Sequence, residues 1–470
     1  MRDREVVEAL VTRARAAQRQ YGEYNQEQVD EVVTAVAWAG YKKENAEALA
    51  RLAFEETGIG NYEDKVAKIR RKTLGALRDL RGAKSVGVID VDEARGITQI
   101  AKPMGVVAAI LPVTNPAATA INNIMITLKG RNAVILAPHP KGERTCAEVI
   151  RLVHHEMAKL KAPLDLVQYL SLKAADKAAS RVRSQELMRQ VDFVFVTSGP
   201  TNVRVAYSSG TPAHGVGPGN VPVIIDASAD IPDVVRKIVA SKTFDYATSC
   251  SSENALVIEA SVYDAVIRGL QAYGGYLVTP EEKPQLQEAM WKDGGLNRAI
   301  VAQSARVIAE LAGLKKRGAL ESKLLIVEEE EIGEAFPFSG EKLSVVLTAY
   351  KYTHFDEALE KVNRILAYMG LGHSCGIHSK NEQHIQRLAE SAKVARVLVN
   401  QAHCFGNGGN FDNGLDFTLS MGAGSWGKNS TCDNIAYKHF LNITRLARVI
   451  PAQIPSEDEL WGGYLKRYGG

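Results

Sequence analysis

Residues 105–138 read GVVAAILPVTNPAATAINNIMITLKGRNAVILAP. Val106–Leu111 is an apolar run too short for a helix. Ala117–Leu128 follows a helical period. Ala133–Ala137 is a second short apolar run after a Gly–Arg–Asn break. A near-continuous apolar strand, a helix and another such strand make a parallel unit buried on both faces. The pattern continues outward. Helix ERTCAEVIRLVHHEMAKL (143–160), the short strand LDLVQYL (164–170), strand FVFVTSG (193–199) and helix TNVRVAYSS (201–209) follow, then strand VPVIIDAS (221–228) and helix ADIPDVVRKIVASKTF (229–244). Beyond it, ALVIEA, LLIVEE, LSVVLTAY, CGIHS and ARVLVNQ are strands separated by helices such as VYDAVIRGLQAYG. The fold expected is α/β, with a nucleotide-binding parallel-sheet domain and a second α/β domain.

Upstream, residues 1–85 carry helical stripes, among them Val29, Val32, Val33, Val36 and Ala37. SVGVIDVD and GITQIAK alternate as two strands joined at Glu93–Gly96. The expected division is a nucleotide-binding domain over 1–225 with a hairpin near 86–102, a second α/β domain over 226–432, and a C-terminal segment, 433–470. The 470 residues hold 57 Lys+Arg and 54 Asp+Glu, a net charge of +3. No basic excess points to nucleic acid. No apolar run approaches the roughly 18 residues of a membrane span, and the N-terminus lacks a signal-peptide core. Five scattered cysteines fit neither a disulfide framework nor a CxxC zinc site. A cytoplasmic protein that binds no metal is expected.

Cys250, in TFDYATSCSSEN, is flanked by small polar residues rather than the apolar neighbours of a structural cysteine. A nucleophile needs such access. Asn115 follows a strand, before Pro116. It is either a turn residue or an amide donor at the mouth of the sheet. Gly199, between a strand and a helix, is either a tight turn or a site where phosphate meets free N–H groups. GVGPGN (215–220) is a weak match to a dinucleotide motif, because a strand follows it. The Gly/Asn-rich loop HCFGNGGNFDNG (403–414) serves either function or turns.

Eight ordered stretches, LPVTNPAAT, APHPKG, FVFVTSG, HGVGPGNVPVIID, TFDYATSCSSEN, FSGEKLSVVL, GLGHSCGIH and GAGSWGKNS, together resemble the aldehyde dehydrogenase superfamily, and within it the CoA-acylating branch. The resemblance implies that Cys250 is the nucleophile, Asn115 the oxyanion amide, and His373 a residue near the cofactor or assisting CoA. It also implies that Thr114, Pro138, His139, Lys141, Arg144, Gly199, Gly217 and Glu341 line the cofactor site. Where hydrolytic members carry Glu-Leu-Gly-Gly, whose Glu activates water, this chain has Gly215–Val216–Gly217–Pro218. A thiol such as CoA needs that base less than water does. Where NAD-preferring members place a Lys and then a Glu, this chain has Ala137–Pro138–His139–Pro140 followed by Lys141 and Arg144. That pattern favours NADP over NAD.

The branch acts on acetaldehyde, succinate semialdehyde or sulfoacetaldehyde. Runs such as LRDLRGAKSVGVI and NQAHCFGNGGNFDNG most resemble the members acting on sulfoacetaldehyde. A sulfonate stays ionised and needs cations or several donors. Thr248, Ser249, Ser251 and Ser252 flank Cys250, Lys428 and Arg204 lie farther away, and no basic residue is assigned to the substrate. The Cys250 loop is expected to lower the thiol pKa. The resemblance makes 1–225 the cofactor-binding domain, 226–432 the catalytic domain, and the hairpin near 86–102 with residues 440–455 the oligomerisation elements, 433–470 returning to the first domain, so that a homodimer or homotetramer is implied.

Overall fold

The computed structural model describes residues 2–172 and 177–469. Helices α1 (Arg2–Tyr21), α2 (Gln26–Tyr41), α3 (Lys43–Thr57) and α4 (Tyr62–Leu80) come first. The stripes read from the sequence face inward, with Val29, Val32, Val33, Val36 and Ala37 all buried. Asn25 and Gln28 cap α2 reciprocally, each side chain bonding the other's backbone N–H, which satisfies donors a helix start otherwise leaves free.

Strands β1 (Gly87–Asp92) and β2 (Ile97–Pro103) form the expected hairpin. Gly96 closes its turn at φ +63°, a conformation glycine adopts without strain. Next come β3 (Val106–Ile110), α5 (Pro116–Lys129), β4 (Ala133–Ala137), α6 (Glu143–Lys159) and β5 (Val167–Tyr169). After α7 (Lys177–Gln190) follow β6 (Phe193–Thr197), α8 (Pro200–Tyr207) and β7 (Ala213–Val216). All residues of β3, β4 and α5 are buried, as elements apolar on every side must be. These strands make a five-stranded parallel sheet, β5-β4-β3-β6-β7.

The second sheet has seven parallel strands. It contains β8 (Val221–Ile225), β9 (Glu253–Glu259) and β10 (Gly275–Leu277), then, past the small pair β11 (Trp291–Lys292) and β12 (Gly295–Leu296), β13 (Leu324–Glu328), β14 (Val346–Tyr352), β15 (Cys375–His378) and β16 (Val397–Val399). Their order is β10-β13-β14-β9-β8-β15-β16. Two readings shift. GVGPGN begins inside a strand, β7, that the sequence reading did not assign. Sheet membership changes between β7 and β8, so Val221–Ile225 belongs to the second sheet rather than to the unit expected over 1–225. Apolar content alone does not say which sheet a strand joins.

Strand β17 (Leu441–Ala447) returns to pair antiparallel with β2, making a three-stranded sheet β1-β2-β17. Just before it, Phe440 packs edge-on against Phe193 and Phe195 of β6. No described helix is long and apolar enough to cross a membrane.

Candidate active site

A cleft of roughly 280 Å³ opens where the first sheet's strands end, the position at which such sheets bind ligands. Thr114 and Asn115 reach it from the end of β3, His139 from β4, Ser198 and Gly199 from β6, and Gly217 and Pro218 from β7. The second sheet's side contributes Thr248–Ser251 and Glu341.

Cys250 sits in the turn leading into β9. The backbone just before it is unusual: Asp245, Tyr246 and Ala247 have φ of +49°, +50° and +57°. Left-handed conformations are unfavourable for such residues and persist only where surrounding contacts enforce them. Here the buried Asp245 carboxylate is the anchor. It accepts hydrogen bonds from Lys68 Nζ at 2.6 Å, Thr248 Oγ1 at 2.9 Å and Asn61 N at 2.9 Å, with Lys65 Nζ at 3.2 Å. Gly219 passes so close that a Cβ there would lie 2.2 Å from the Cys250 carbonyl oxygen. The glycine cluster of GVGPGN thus makes room for the Cys250 turn.

Cys250 Sγ lies 3.3 Å from His373 Nε2, and His373 Nδ1 lies 2.8 Å from Ser374 Oγ. With Nδ1–H donating to Ser374, Nε2 is left to accept the thiol proton. Arg396 holds the His373 carbonyl at 2.8 Å. Burial, with Arg396 and His403 adding to it, drives His373 well below the usual histidine range. Burial and then the Glu341 carboxylate push the Cys250 thiol up to about 12. The expectation of a lowered thiol pKa is therefore corrected: desolvation and a nearby acid outweigh Arg396 and Ser251. Both shifts point to a resting S–H beside a neutral imidazole.

Asn115 caps nothing, although it precedes α5. Its Oδ1 instead accepts from Lys68 Nζ at 2.7 Å. An ammonium only donates, so this contact fixes the amide orientation and puts Nδ2 opposite it. The turn-residue reading of Asn115 accounts for its backbone but not for its side chain.

Glu341 is half-buried and accepts from Gly219 N at 3.2 Å. Burial pushes it up to about 8. A Cβ added at Gly199 or Gly217 would meet nothing within 4 Å, and α8 begins with no side-chain cap. That open ground before free N–H groups suits a diphosphate. His139 lines the cleft, whereas Pro138 is buried behind it and Lys141 and Arg144 are exposed outside its lining. The reading of this stretch as lacking an acid holds only locally. Glu56 of α3 accepts from Arg144 N, Thr145 N and Thr145 Oγ1, each at 2.8 Å. An acid supplied from another element leaves no local signature.

The other cysteines also find their places. Cys146 and Cys375 are buried in the core, Cys404 is buried at the cleft wall, and Cys432 is exposed. Lys428 and Arg204 are exposed and do not line the cleft. Lys72 of α4 does line it, a contribution sequence reasoning missed. The signal was available in Lys68–Ile69–Arg70–Arg71–Lys72, where residues i, i+3 and i+4 share one helix face.

Two parallel sheets meeting over a cysteine, a histidine and a facing amide define the class, and the chain belongs to the aldehyde dehydrogenase family, whose sequence profile matches residues 1–284. Within that family it is similar to the sulfoacetaldehyde dehydrogenase (acylating) of Cupriavidus necator, with 52% identity over 99% of this chain and 93% of that one. The sulfoacetaldehyde dehydrogenase (acylating) of Bilophila wadsworthia is 41% identical over 97% of this chain and 98% of its own. Among solved structures, an acetylating aldehyde dehydrogenase from Geobacillus thermoglucosidasius superposes with a TM-score of 0.91 at 37% identity, over 97% of this chain and 99% of that one.

Proposed function

We propose that the protein oxidises sulfoacetaldehyde to sulfoacetyl-CoA through a thioester on Cys250. The observation that carries the reading is the 3.3 Å contact of Cys250 Sγ with His373 Nε2, in a cleft whose β7 end offers Gly217 and Pro218 instead of a carboxylate. The two relatives named as acylating sulfoacetaldehyde dehydrogenases support the choice of aldehyde.

Cys250 Sγ attacks the carbonyl carbon as His373 Nε2 takes the thiol proton. With the pair neutral at rest, attack and proton transfer proceed together. Asn115 Nδ2 and the Cys250 N–H hold the oxyanion, and Lys68 keeps the amide turned for the task. A bound nicotinamide cofactor supplies the hydride acceptor. Gly199, Gly217 and Thr114 would hold it, with Glu341 bonding a ribose hydroxyl. Loss of hydride leaves a thioester on Cys250. The CoA thiol then attacks that thioester: the new C–S bond forms to CoA, the bond to Cys250 Sγ breaks, and Cys250 regains a proton. Water competes poorly. Glu341, the cleft's one carboxylate among the described residues, accepts from Gly219 N and is assigned here to the ribose rather than to a water.

NADP is the favoured cofactor, with NAD the alternative. Glu56 is committed to the start of α6, while Lys141 and Arg144 are exposed nearby, which suits a 2′-phosphate. In this reading the five-stranded unit holds the cofactor and the seven-stranded unit carries the chemistry. The β1-β2-β17 sheet exposes Val88, Val91 and Leu446, a surface fitted to a homodimer or homotetramer. Five free cysteines fit a reducing cytoplasm.

The test is to trap the intermediate. Incubation with sulfoacetaldehyde and NADP, without CoA, should leave a sulfoacetyl adduct on the Cys250 peptide by mass spectrometry. An adduct elsewhere, or reduced cofactor formed by Cys250→Ala, would overturn the scheme.

A further inference from the structure

Beside the main cleft lies a side pocket of about 30 Å³. On a measure where one water needs roughly 10–15 Å³, it takes a compact group of about two water volumes. It shares Lys72, Asn115, Ser249, Cys404 and Leu419 with the cleft around Cys250. Its remaining polar lining is Lys68 and Arg71, from the same face of α4.

Lys68 is committed to Asp245, Asn115 and Thr248. Arg71 and Lys72 are not so committed. Among the described residues neither forms an ion pair with a carboxylate. Both are instead aimed by the Gly/Asn-rich loop that the sequence left unassigned. Arg71 donates to the Asn410 side chain and stacks 4.8 Å from the Phe405 ring centroid. Lys72 donates to the Gly408 carbonyl at 2.7 Å and faces the Phe417 ring at 5.3 Å. Carbonyls and rings orient cations without neutralising them. Around this corner Lys65, Lys68, Arg71 and Lys72 meet one buried carboxylate, Asp245, with Asp64 bonded to the Asp245 backbone behind it. Burial, with Arg71 and Lys68 adding to it, drops Lys72 to about 7. Asp412 and Asp79 attract Arg71 and Lys72 only from beyond ion-pair distance, and buried cations held so loosely are unfavourable until an anion arrives.

We propose that this side pocket is the anion subsite for the aldehyde, with Arg71 and Lys72 binding the sulfonate oxygens while the carbonyl carbon meets Cys250. The inference rests on the sulfoacetaldehyde reading above. In that substrate one methylene separates sulfonate from carbonyl, so the two subsites must adjoin. The pocket and the cleft do, across Asn115 and Ser249. The guanidinium has N–H groups to spare after the Asn410 contact, and its fork matches two oxygens at once.

The experiment compares kcat/KM for sulfoacetaldehyde and for propionaldehyde, an uncharged aldehyde, in the wild type, Arg71→Met, Arg71→Lys and Lys72→Gln. The readout is their ratio, which a loss of folded enzyme does not move. Arg71→Met should lower the ratio about 30-fold or more and Lys72→Gln about tenfold, as expected for charge-assisted hydrogen bonds. Arg71→Lys should recover part of the loss. A ratio unchanged in both Arg71→Met and Lys72→Gln overturns the subsite. Isethionate, an unreactive sulfonate, keeps the two readings apart. It should inhibit propionaldehyde oxidation competitively in the wild type and at least about tenfold more weakly in Arg71→Met. A wild type that prefers propionaldehyde refutes the substrate reading, whereas equal isethionate inhibition of both proteins refutes the subsite.

Discussion

Cys250 and His373 form a pair whose protonation runs against the simplest idea of an activated thiol. Burial raises one and lowers the other, so the resting state is neutral on both sides. A free thiol near 8.5 already carries a few per cent thiolate at neutral pH, and Cys250, near 12, carries far less. Iodoacetamide should therefore modify Cys250 of the unliganded protein more slowly at pH 7 than it modifies the exposed Cys432. The Cys250 rate should keep rising beyond pH 9, where a free thiol levels off. Peptide mass spectrometry separates the two sites. Faster labelling of Cys250 at pH 7 would restore the lowered pKa expected from the sequence. That expectation followed from the thiolate a nucleophile needs, with backbone N–H groups of the loop or cofactor charge to favour it. The decisive neighbours, Glu341 and the buried wall, come from elsewhere in the fold.

At the scale of elements, the Cys250 turn depends on α4. Lys65 and Lys68 grip Asp245, and through it three successive residues with positive φ. Burial raises the Asp245 carboxyl, but Lys68 and then Lys65 outweigh it and hold the group below the usual aspartate range. Its contribution is thus complete above the unfolded value near 3.8 and fades as pH falls through the lower folded value. Asp245→Asn leaves two buried cations short of a partner and should lower stability at neutral pH by about 3–5 kcal/mol, the range for breaking a buried pair. A clear drop in calorimetric Tm is expected, and an unchanged Tm would show the turn to be held otherwise. None of this was legible in the sequence. Asp245 and Lys68 are 177 positions apart, and a helix full of lysines reads as a solvated face until its burial is known. Most strands of the two large sheets were legible because apolar runs bounded by Gly, Pro and Asn mark themselves, though the short β10, β11 and β12 were not read. Strand β7 was not, because Ala213–Val216 has one strong β-former, Val216, beside alanine, histidine and glycine.

Over the whole molecule, a net charge of +3 offers no field to draw in an anionic aldehyde. Attraction falls to a few cations concentrated at one corner, where α4 meets the 403–414 loop. Two sheets of different chain segments supply the rest: the first an open glycine-lined floor, the second a cysteine and its histidine. Three features read along the chain, Cys250, Asn115 and His373, come together because their motifs sit at strand ends that the two sheets bring face to face. The cation corner and Glu56 escaped notice because each acts on an element distant in sequence. What unites the parts is a cleft that sets a cysteine beside a histidine and carries Gly217 and Pro218, not a carboxylate, at the end of β7. The direct measurement is steady-state NADPH formation from sulfoacetaldehyde with and without CoA, with the product identified. The account predicts sustained turnover to sulfoacetyl-CoA only when CoA is present, and about one equivalent of NADPH per active site without it. Equal sustained rates in both conditions, with free sulfoacetate as product, would contradict it.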